Sequence, residues 1–261
     1  MIDSYAHYDH IKFDTDREEV LTDCKDTKNI YLTGDTHGSF VRVCTFCRRM
    51  QTTRDDILII LGDAGVNYYG GLKDIYKKEY ISKLPITLFC VHGNHEQRPY
   101  HFPVYVEQEW HGGTVYVEPE FPNIIFAKDG EIYDFNGKKA MVIGGAYSVD
   151  KMWRIVRSYG GTPEWWPDEQ PSEEIKAYVE HQLEKCDWKI DVVLSHTVPL
   201  SYEPTEVFLP NIDQNSVDKS TEEWLETIEQ RLEYKAWYAG HYHTEKKVDK
   251  LQLMFEDFSM L

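Results

Sequence analysis

Five apolar segments of this sequence each end in polar residues that can bind metal ions. The segment "LFCV" at residues 88–91 is followed by Gly93 and then by Asn94, His95 and Glu96. The residues that follow the other four segments are Asp35 with His37, Asp63, His196, and His241 with His243. Open α/β sheets bind ligands where the carboxyl ends of their strands meet, so we expect these side chains to form one site.

Glycine accompanies this pattern. In four of the five segments a glycine immediately precedes the first polar residue, namely Gly34, Gly62, Gly93 and Gly240. Glycine lets the backbone turn sharply out of a strand and pack closely against its neighbours. The repeated glycine therefore supports a set of strands that all leave the sheet at the same edge.

From residue 29 onward, strand-like segments alternate with helix-like segments. "NIYLTG" is followed by a helix from about Phe40, "DDILIILG" by the helical "KDIYKKEYISKL", and then comes "PITLFCVHG". This order predicts a parallel or mixed sheet with helices packed on it. Farther along, "IIFAKD", "EIYDFNG" and "KKAMVIGGAYS" are short β-rich pieces, and Asn136-Gly137 is a strong hairpin signal. These pieces predict a second sheet.

The C-terminal third adds further helices and strands. Ser172 is expected to cap a helix over "PSEEIKAYVEHQLEKC", and Ser220 with Glu223 predicts a capping box for a second helix that buries Trp224 and Leu225. "DVVLSH", "AWYAGHYH" and "LQLMFEDF" predict strands. The fold class is therefore α/β, with sheet layers in the middle and helices outside.

Length and composition limit the classes of function. The 261 residues contain no repeats or flexible linkers, so we expect a single domain over 1–261, with a polar lead-in at 1–28. The formal charge of −17 argues against a strong nucleic-acid-binding surface and against binding to an anionic membrane. The longest apolar run, 57–61, is far too short to span a bilayer, and the N-terminus has no apolar core typical of a signal peptide.

The cysteines predict a reducing compartment. Five cysteines are an odd number in a chain too large to need disulfides, and we therefore expect a cytoplasmic protein. Cys44 and Cys47 form a C-x-x-C pair, but they lie in the predicted helix "FVRVCTFCRRM" without a second pair. We interpret them as two small apolar residues on a buried helix face.

The residue types at the strand ends indicate the kind of site. Apart from His95 and Glu96, they comprise two aspartates, one asparagine and four histidines. Seven ligands are too many for one tetrahedral zinc, but they suit two metals that share a bridging carboxylate. Imidazole with carboxylate oxygen favours manganese, iron, zinc or nickel over calcium or magnesium alone.

The motifs "GDTHG", "GD", "GNHE", "SH" and "GHYH", in this order, resemble the five-motif signature of the calcineurin-like metallophosphoesterases. The resemblance spans about residues 34–243 and implies a four-layer α-β-β-α sandwich of two mixed sheets flanked by helices. It also implies two divalent transition-metal ions, with manganese as the first choice and iron, zinc or nickel as alternatives. One metal would be held by Asp35, His37 and His243, the other by Asn94, His196 and His241, and Asp63 would bridge them.

The implied activity is hydrolysis of phosphate esters by attack of a metal-bound hydroxide. His95 would face the substrate as general acid and Glu96 would orient it, while Asp63 would take part in catalysis as the bridging ligand. A phosphomonoesterase acting on small molecules, nucleotides or phosphoproteins is expected first. The alternatives are a phosphodiesterase or nuclease, and a metal-binding scaffold without activity.

The sequence departs from the protein serine/threonine phosphatases after the second motif. Those enzymes have an Asp-Arg pair where this chain has Val66 and Asn67, so a phosphate-binding arginine is missing there. Arg98 is the first replacement that we expect, followed by Arg154 and Arg157. The last two lie in 145–172, which we expect to be an insertion on the substrate side that includes the Trp-rich segment 158–171. The remaining histidines, expected to be solvated or satisfied locally, are His7, His10, His92, His101, His111 and His181.

Overall fold

The computed structural model describes residues 28–161 and 163–261. The expected polar lead-in, with His7 and His10, therefore lies outside the described residues except for its last position. No helix in the described ranges combines the length and the apolar character that crossing a bilayer requires.

Two sheets form the centre of the molecule. Hydrogen bonds join the strands of the first sheet in the order β13 (Ser259–Met260), β1 (Ile30–Thr33), β2 (Ile57–Ile60), β3 (Thr87–Cys90), β6 (Ile124–Ala127), β5 (Gly113–Val117) and β4 (Val106–Trp110). The second sheet has the order β11 (Lys246–Val248), β12 (Leu251–Leu253), β10 (Ala236–Ala239), β9 (Val192–Ser195), β8 (Lys138–Ile143) and β7 (Ile132–Phe135). The helices in the described ranges are α1 (Val41–Met50), α2 (Leu72–Ile81), α3 (Lys151–Ser158), α4 (Glu173–Lys185) and α5 (Ser220–Glu229).

Both sheets are mixed, as expected. In the first sheet β1, β2, β3 and β6 are parallel neighbours, and in the second β8, β9, β10 and β12 are. Antiparallel strands flank these parallel centres on both sides. The carboxyl ends of all five strands that precede the candidate ligands therefore belong to the parallel parts of the sheets.

The alternation of side chains along the strands separates the layers. On β2, Ile57 and Ile59 pack in the core between the two sheets, whereas Leu58 and Ile60 pack with α1 and α2 on the outer face. The outer face of the second sheet is covered by α4 and α5, whose buried residues include Val179 and Leu225. This arrangement confirms the α-β-β-α sandwich.

Most local expectations are confirmed. Asn136 and Gly137 form the two-residue turn between β7 and β8, with φ of 54° and 83°, as a type I′ hairpin requires. Ser172 caps α4, and its side chain accepts a hydrogen bond from the N–H of Ile175 at 3.3 Å. Cys44 and Cys47 are buried on α1 against the first sheet.

Two local expectations are wrong. Ser220 is the first residue of α5 and makes no capping hydrogen bond, because the helix begins one residue earlier than the capping box requires, with Lys219 at the cap. The final predicted strand, "LQLMFEDF", is extended only over β12. The chain then leaves the second sheet and ends as β13 beside β1 of the first sheet.

Candidate metal centre

The strands β1, β2, β3, β9 and β10 bring the expected ligands to one edge of the sandwich. Asp35, His37 and His243 form a cluster in which one ligand atom of each lies within 4.8 Å of the others. Nε2 of His37 lies 2.8 Å from Nε2 of His243, and Nε2 of His243 lies 3.2 Å from Oδ2 of Asp35. This cluster consists of the three residues that the motif resemblance assigned to one metal.

Asp63 lies between this cluster and the remaining ligands. Its Oδ2 is 3.8 Å from Nδ1 of His37, and its Oδ1 is 3.7 Å from Nε2 of His196. Oδ1 also accepts a hydrogen bond from the backbone N–H of His95 at 2.7 Å. One carboxylate therefore faces both halves of the centre, which is the position that a bridging ligand needs.

The second half contains Asn94, His196 and His241. Nδ1 of His196 donates to the carbonyl oxygen of Leu61 at 2.8 Å, so the ring directs Nε2 toward the other ligands. This Nε2 lies 2.8 Å from Oδ1 of Asn94, whose amide nitrogen donates to Oγ of Ser148 at 2.8 Å. The imidazole nitrogen and the amide oxygen are thus two potential ligand atoms in one place, and a cation would attract both.

His241 completes the second half. Its ring lies 5.0 Å from that of His196, and its backbone N–H donates to Oδ1 of Asp35 at 2.9 Å. Burial, followed by the nearby His196, lowers the pKa of His241 to about 3. The imidazole is therefore neutral at physiological pH, which is the form that binds metals.

Charge and burial at the aspartates also fit a pair of cations. Oδ2 of Asp35 is buried and lies 3.2 Å from Nε2 of His243. Burial by itself raises the pKa of Asp35 and Asp63, but the hydrogen bond from His243 to Asp35 and the electrostatic interaction of both aspartates with His196 outweigh it. Both pKa values are held below the ordinary value, so two carboxylates are ionised in a buried space. Divalent cations would neutralise them.

The backbone around the ligands is arranged for close approach. His37, Asp63, His241 and His243 all have positive φ, between 47° and 70°, which is uncommon outside glycine. A Cβ on Gly62 would lie 1.9 Å from Nδ1 of His196. These contacts explain the glycines that the sequence places before the ligands, and the donor set fits two divalent transition metals.

A pocket of about 500 Å³ opens beside the cluster and is lined by His37 and His95, whose rings are 5.2 Å apart. Burial lowers the pKa of His95, while the charge of Asp63 opposes this shift. The other charged and aromatic residues that line the pocket are Lys73, Lys77, Arg154, Arg157, Asp150, Glu164, Tyr68, Tyr69 and Trp153. Five of these residues belong to segment 145–172, and three of the five, Trp153, Arg154 and Arg157, lie on α3.

Of the three arginines that the sequence offers as phosphate ligands, two line this pocket. Arg154 is only 1% exposed, and its Nη1 donates to Oγ of Ser148 at 2.7 Å and to the carbonyl oxygen of Asn94 at 3.2 Å. Its Nε and Nη2 are buried without a hydrogen bond. Arg157 is more exposed and pairs with Glu164 at 2.9 Å.

Arg98 lies elsewhere. It is buried in an ion pair with Asp129, its Nε donates to the carbonyl oxygen of Asp168 at 2.9 Å, and it does not line the pocket. The acidic partners hold the guanidinium in the protein interior, away from the pocket that Arg154 and Arg157 line.

Glu96 accepts hydrogen bonds from backbone groups, and His92 differs from expectation. Glu96 accepts hydrogen bonds from the backbone N–H groups of Gly65 and Gly93, at 3.1 and 3.2 Å. It therefore connects the loops after β2 and β3, and burial raises its pKa to about 7. His92 is buried, and both of its ring nitrogens lack a hydrogen bond, so it is neither solvated nor satisfied locally.

The profile of the calcineurin-like phosphoesterase family matches residues 28–245. Fold and site together define a metal-dependent phosphoester hydrolase with a dinuclear divalent metal centre. The match covers most of the chain, so the chain belongs to the calcineurin-like phosphoesterase family. The resemblance that the five motifs indicate is thereby confirmed.

Solved structures similar to this chain include two bacterial proteins. The phosphopantetheinyl hydrolase PptH of Mycobacterium tuberculosis is 15% identical, with a TM-score of 0.48 over 87% of this chain and 88% of that chain. The TT1561 protein of Thermus thermophilus is 11% identical, with a TM-score of 0.48 over 87% of this chain and 89% of that chain. Among curated proteins, none matches this chain.

Proposed function

We propose that this chain is a phosphomonoesterase that works with two manganese ions. The observation that carries the proposal is the position of Arg154. Two of its guanidinium nitrogens are buried without a partner in the wall of the pocket that also contains His95. A buried cation with free donors is matched best by a dianionic, unsubstituted phosphoryl group, because a diester would offer it less negative charge.

The ligands would be divided between the two metals as follows: Asp35, His37 and His243 at one, Asn94, His196 and His241 at the other, with Asp63 shared. When bound, the cations would acidify a water molecule and neutralise charge on the phosphoryl oxygens. The hydrogen bond from His95 N–H and the nearby histidines keep Asp63 ionised and correctly oriented for this role.

Arg154 would hold the phosphoryl group and also orient a ligand. Its Nη1 donates both to Ser148 and to the backbone carbonyl of Asn94, and Ser148 in turn accepts from the Asn94 amide. Oδ1 of Asn94 is thereby directed toward His196 and the metal centre. A single buried side chain thus couples phosphate binding to the second half of the centre.

His95 would donate a proton to the leaving oxygen. Its side chain lines the pocket together with His37, while its backbone is fixed by the bond to Asp63. Such proton transfer is typically worth about 10² to 10⁴ in rate. Residues 145–172, which include α3, would then form the substrate side of the site.

We also propose that the protein works in the cytoplasm without a membrane or nucleic-acid partner. All cysteines in the described ranges are free thiols, and Cys44, Cys47 and Cys90 are buried. The net charge of −17 disfavours both anionic surfaces.

A direct test compares para-nitrophenyl phosphate with bis(para-nitrophenyl) phosphate, using protein loaded with manganese. We expect the monoester to be cleaved much faster than the diester. The matched control is Asp63→Asn, which keeps the size of the bridging side chain but removes its charge; elemental analysis should show loss of metal and the assay loss of activity. Faster diester cleavage would support the phosphodiesterase instead, and no cleavage with any of several metals would support the scaffold.

A further inference from the structure

The wall of the pocket that α2 forms carries two lysines on one face of the helix. Lys73 and Lys77 are one helical turn apart, and both line the pocket that contains His37 and His95. Their ammonium nitrogens lie 4.4 and 5.7 Å from the centre of one ring, that of Tyr69. The two cations therefore occupy one patch of the pocket wall.

Neither lysine has an acidic partner among the residues that the structure describes, since no carboxylate oxygen there lies within 4.0 Å of either Nζ. The acids whose charge acts on Lys77 are Asp74 and Glu96, and both are already hydrogen-bonded to backbone N–H groups. Across the pocket, by contrast, Arg157 is neutralised by Glu164 at 2.9 Å. The two lysines therefore form no direct ion pair with a described carboxylate, and their ammonium groups can pair with an anionic ligand.

The backbone holds Lys77 in place. Its Nζ donates to the carbonyl oxygen of Gly65, and a Cβ on Gly38 would lie 2.5 Å from that Nζ. Both glycines have positive φ, 76° at Gly38 and 68° at Gly65, and they follow the ligands His37 and Asp63. The ammonium group is therefore held against the two loops of the metal centre rather than extended into solvent.

Lys73 is placed where a cation is disfavoured. It is the second residue of α2, and the dipole of a helix repels positive charge in its first turn. An anion bound there would interact favourably with Lys73, Lys77 and the helix N-terminus together. In a chain with 45 acidic and only 28 basic residues, two lysines that line a pocket without forming an ion pair to a described carboxylate indicate an anionic ligand.

We propose that Lys73 and Lys77 bind a second anionic group, carried by the leaving group of the substrate. The preferred substrates are then phosphomonoesters whose alcohol or phenol bears a carboxylate or another phosphate. The transferred phosphoryl group lies near Arg154 and His95, and the second anion lies at the α2 wall. This inference depends on the phosphomonoesterase activity proposed above.

The test uses two substrates that differ only in the second charge, para-carboxyphenyl phosphate and its methyl ester. The methyl ester has the better leaving group, so a preference for the carboxylate cannot arise from chemistry. We expect wild-type kcat/KM to favour the carboxylate, mainly through a lower KM, because the lysines bind ground state and transition state alike. The double variant Lys73→Gln/Lys77→Gln should reduce this preference about tenfold, as expected for loss of a charge-assisted contact.

The control is Lys83→Gln, which removes an exposed lysine outside the pocket and should leave the preference unchanged. Calorimetry with the uncleavable para-carboxybenzylphosphonate and its methyl ester measures the same preference without turnover. The inference is refuted if wild-type protein cleaves the two phosphate esters equally well and binds the two phosphonates equally tightly. It is also refuted if the double variant loses the same activity on both phosphate esters. Neither result would contradict the proposed phosphomonoesterase activity. If neither ester is cleaved, the proposed function fails, and calorimetry still decides the role of the lysines.

Discussion

Glu222 on α5 should make the folded protein less stable as the pH rises, and replacing it with glutamine should remove this effect. Its side chain is buried, with one hydrogen bond to Oε1 from the hydroxyl of Thr197 at 2.7 Å. Burial raises the pKa of Glu222 to about 7, and the hydrogen bond from Thr197 only partly opposes this. In the unfolded chain the carboxyl has its ordinary pKa of 4.5.

The sign follows from proton binding. Between the two pKa values the folded state retains a proton that the unfolded state has lost, so raising the pH favours unfolding. With pKa values of 4.5 and about 7, the ionisable carboxyl costs about 2 kcal/mol of stability at pH 6 and about 3 kcal/mol at pH 8.5. Glu222→Gln has no such cost, and its amide oxygen can still accept from Thr197. The variant should therefore gain about 1 kcal/mol relative to wild type between these two pH values.

Urea unfolding of both proteins at pH 6 and pH 8.5, with metals chelated, measures this difference. Both pH values lie above the isoelectric point of about 5.0. The titration of every other group contributes equally to wild type and Glu222→Gln, so it cancels in the difference between the two proteins. Glu223→Gln, on the exposed side of the same helix, removes an equal charge without burial and corrects for net charge. Parallel stability curves for Glu222→Gln and wild type would show that Glu222 is ionised in the folded protein and refute the reasoning.

Two further predictions concern the metal centre. Gly93→Ala would place a Cβ 2.0 Å from Oδ1 of Asp63, so we expect elemental analysis to show loss of bound metal; Gly71→Ala, whose Cβ meets nothing within 4 Å, should retain it. His95→Ala should keep both metals and lose about 10² to 10⁴ in kcat on alkyl phosphates, with a smaller loss on nitrophenyl phosphate, whose leaving group needs no proton. Loss of metal from His95→Ala would show that His95 is a ligand.

The strands that carry the ligands could be predicted from the sequence because each is a continuous apolar run that ends at glycine and a polar residue. The hairpin formed by β4 and β5, by contrast, could not be predicted from the sequence. Four of the five side chains of β4 are exposed, so "VEQEW" lacks the alternation that identifies a half-buried strand. The helix α3 was missed for a related reason: its buried residue is Arg154, whereas Met152, Trp153 and Val156 are exposed. These apolar residues of α3 therefore lie on its exposed side, the opposite of what an amphipathic helix packed on a core would show.

The arginines show where prediction of the site from sequence reaches its limit. Arg98 follows the "GNHE" motif closely, and proximity in sequence made it the first choice. Its partners, Asp129 and Asp168, are 31 and 70 residues away along the chain, and only the folded structure brings them together. The same is true of Arg154, which lies 60 residues from Asn94 yet donates to its carbonyl oxygen. The metal ligands can be predicted from the local sequence motifs. The residues expected to bind substrate cannot, because their positions depend on contacts between residues far apart in the sequence.

The metal ligands with positive φ explain why the motifs can be recognised in the sequence although the spatial arrangement of the ligands cannot. Residues in the left-handed region cost about 1 to 3 kcal/mol each and persist only where the surroundings fix them. Here the carboxylate of Asp63 accepts a hydrogen bond from the backbone N–H of His95, which fixes Asp63. The backbone N–H of His241 donates to the carboxylate of Asp35, which fixes His241. The same carboxylates that would bind the metals therefore also hold the loops that carry the histidines. Ligand binding and loop conformation thus depend on one set of contacts, and for this reason the aspartates, the histidines and the glycines that precede them occur together in the motifs.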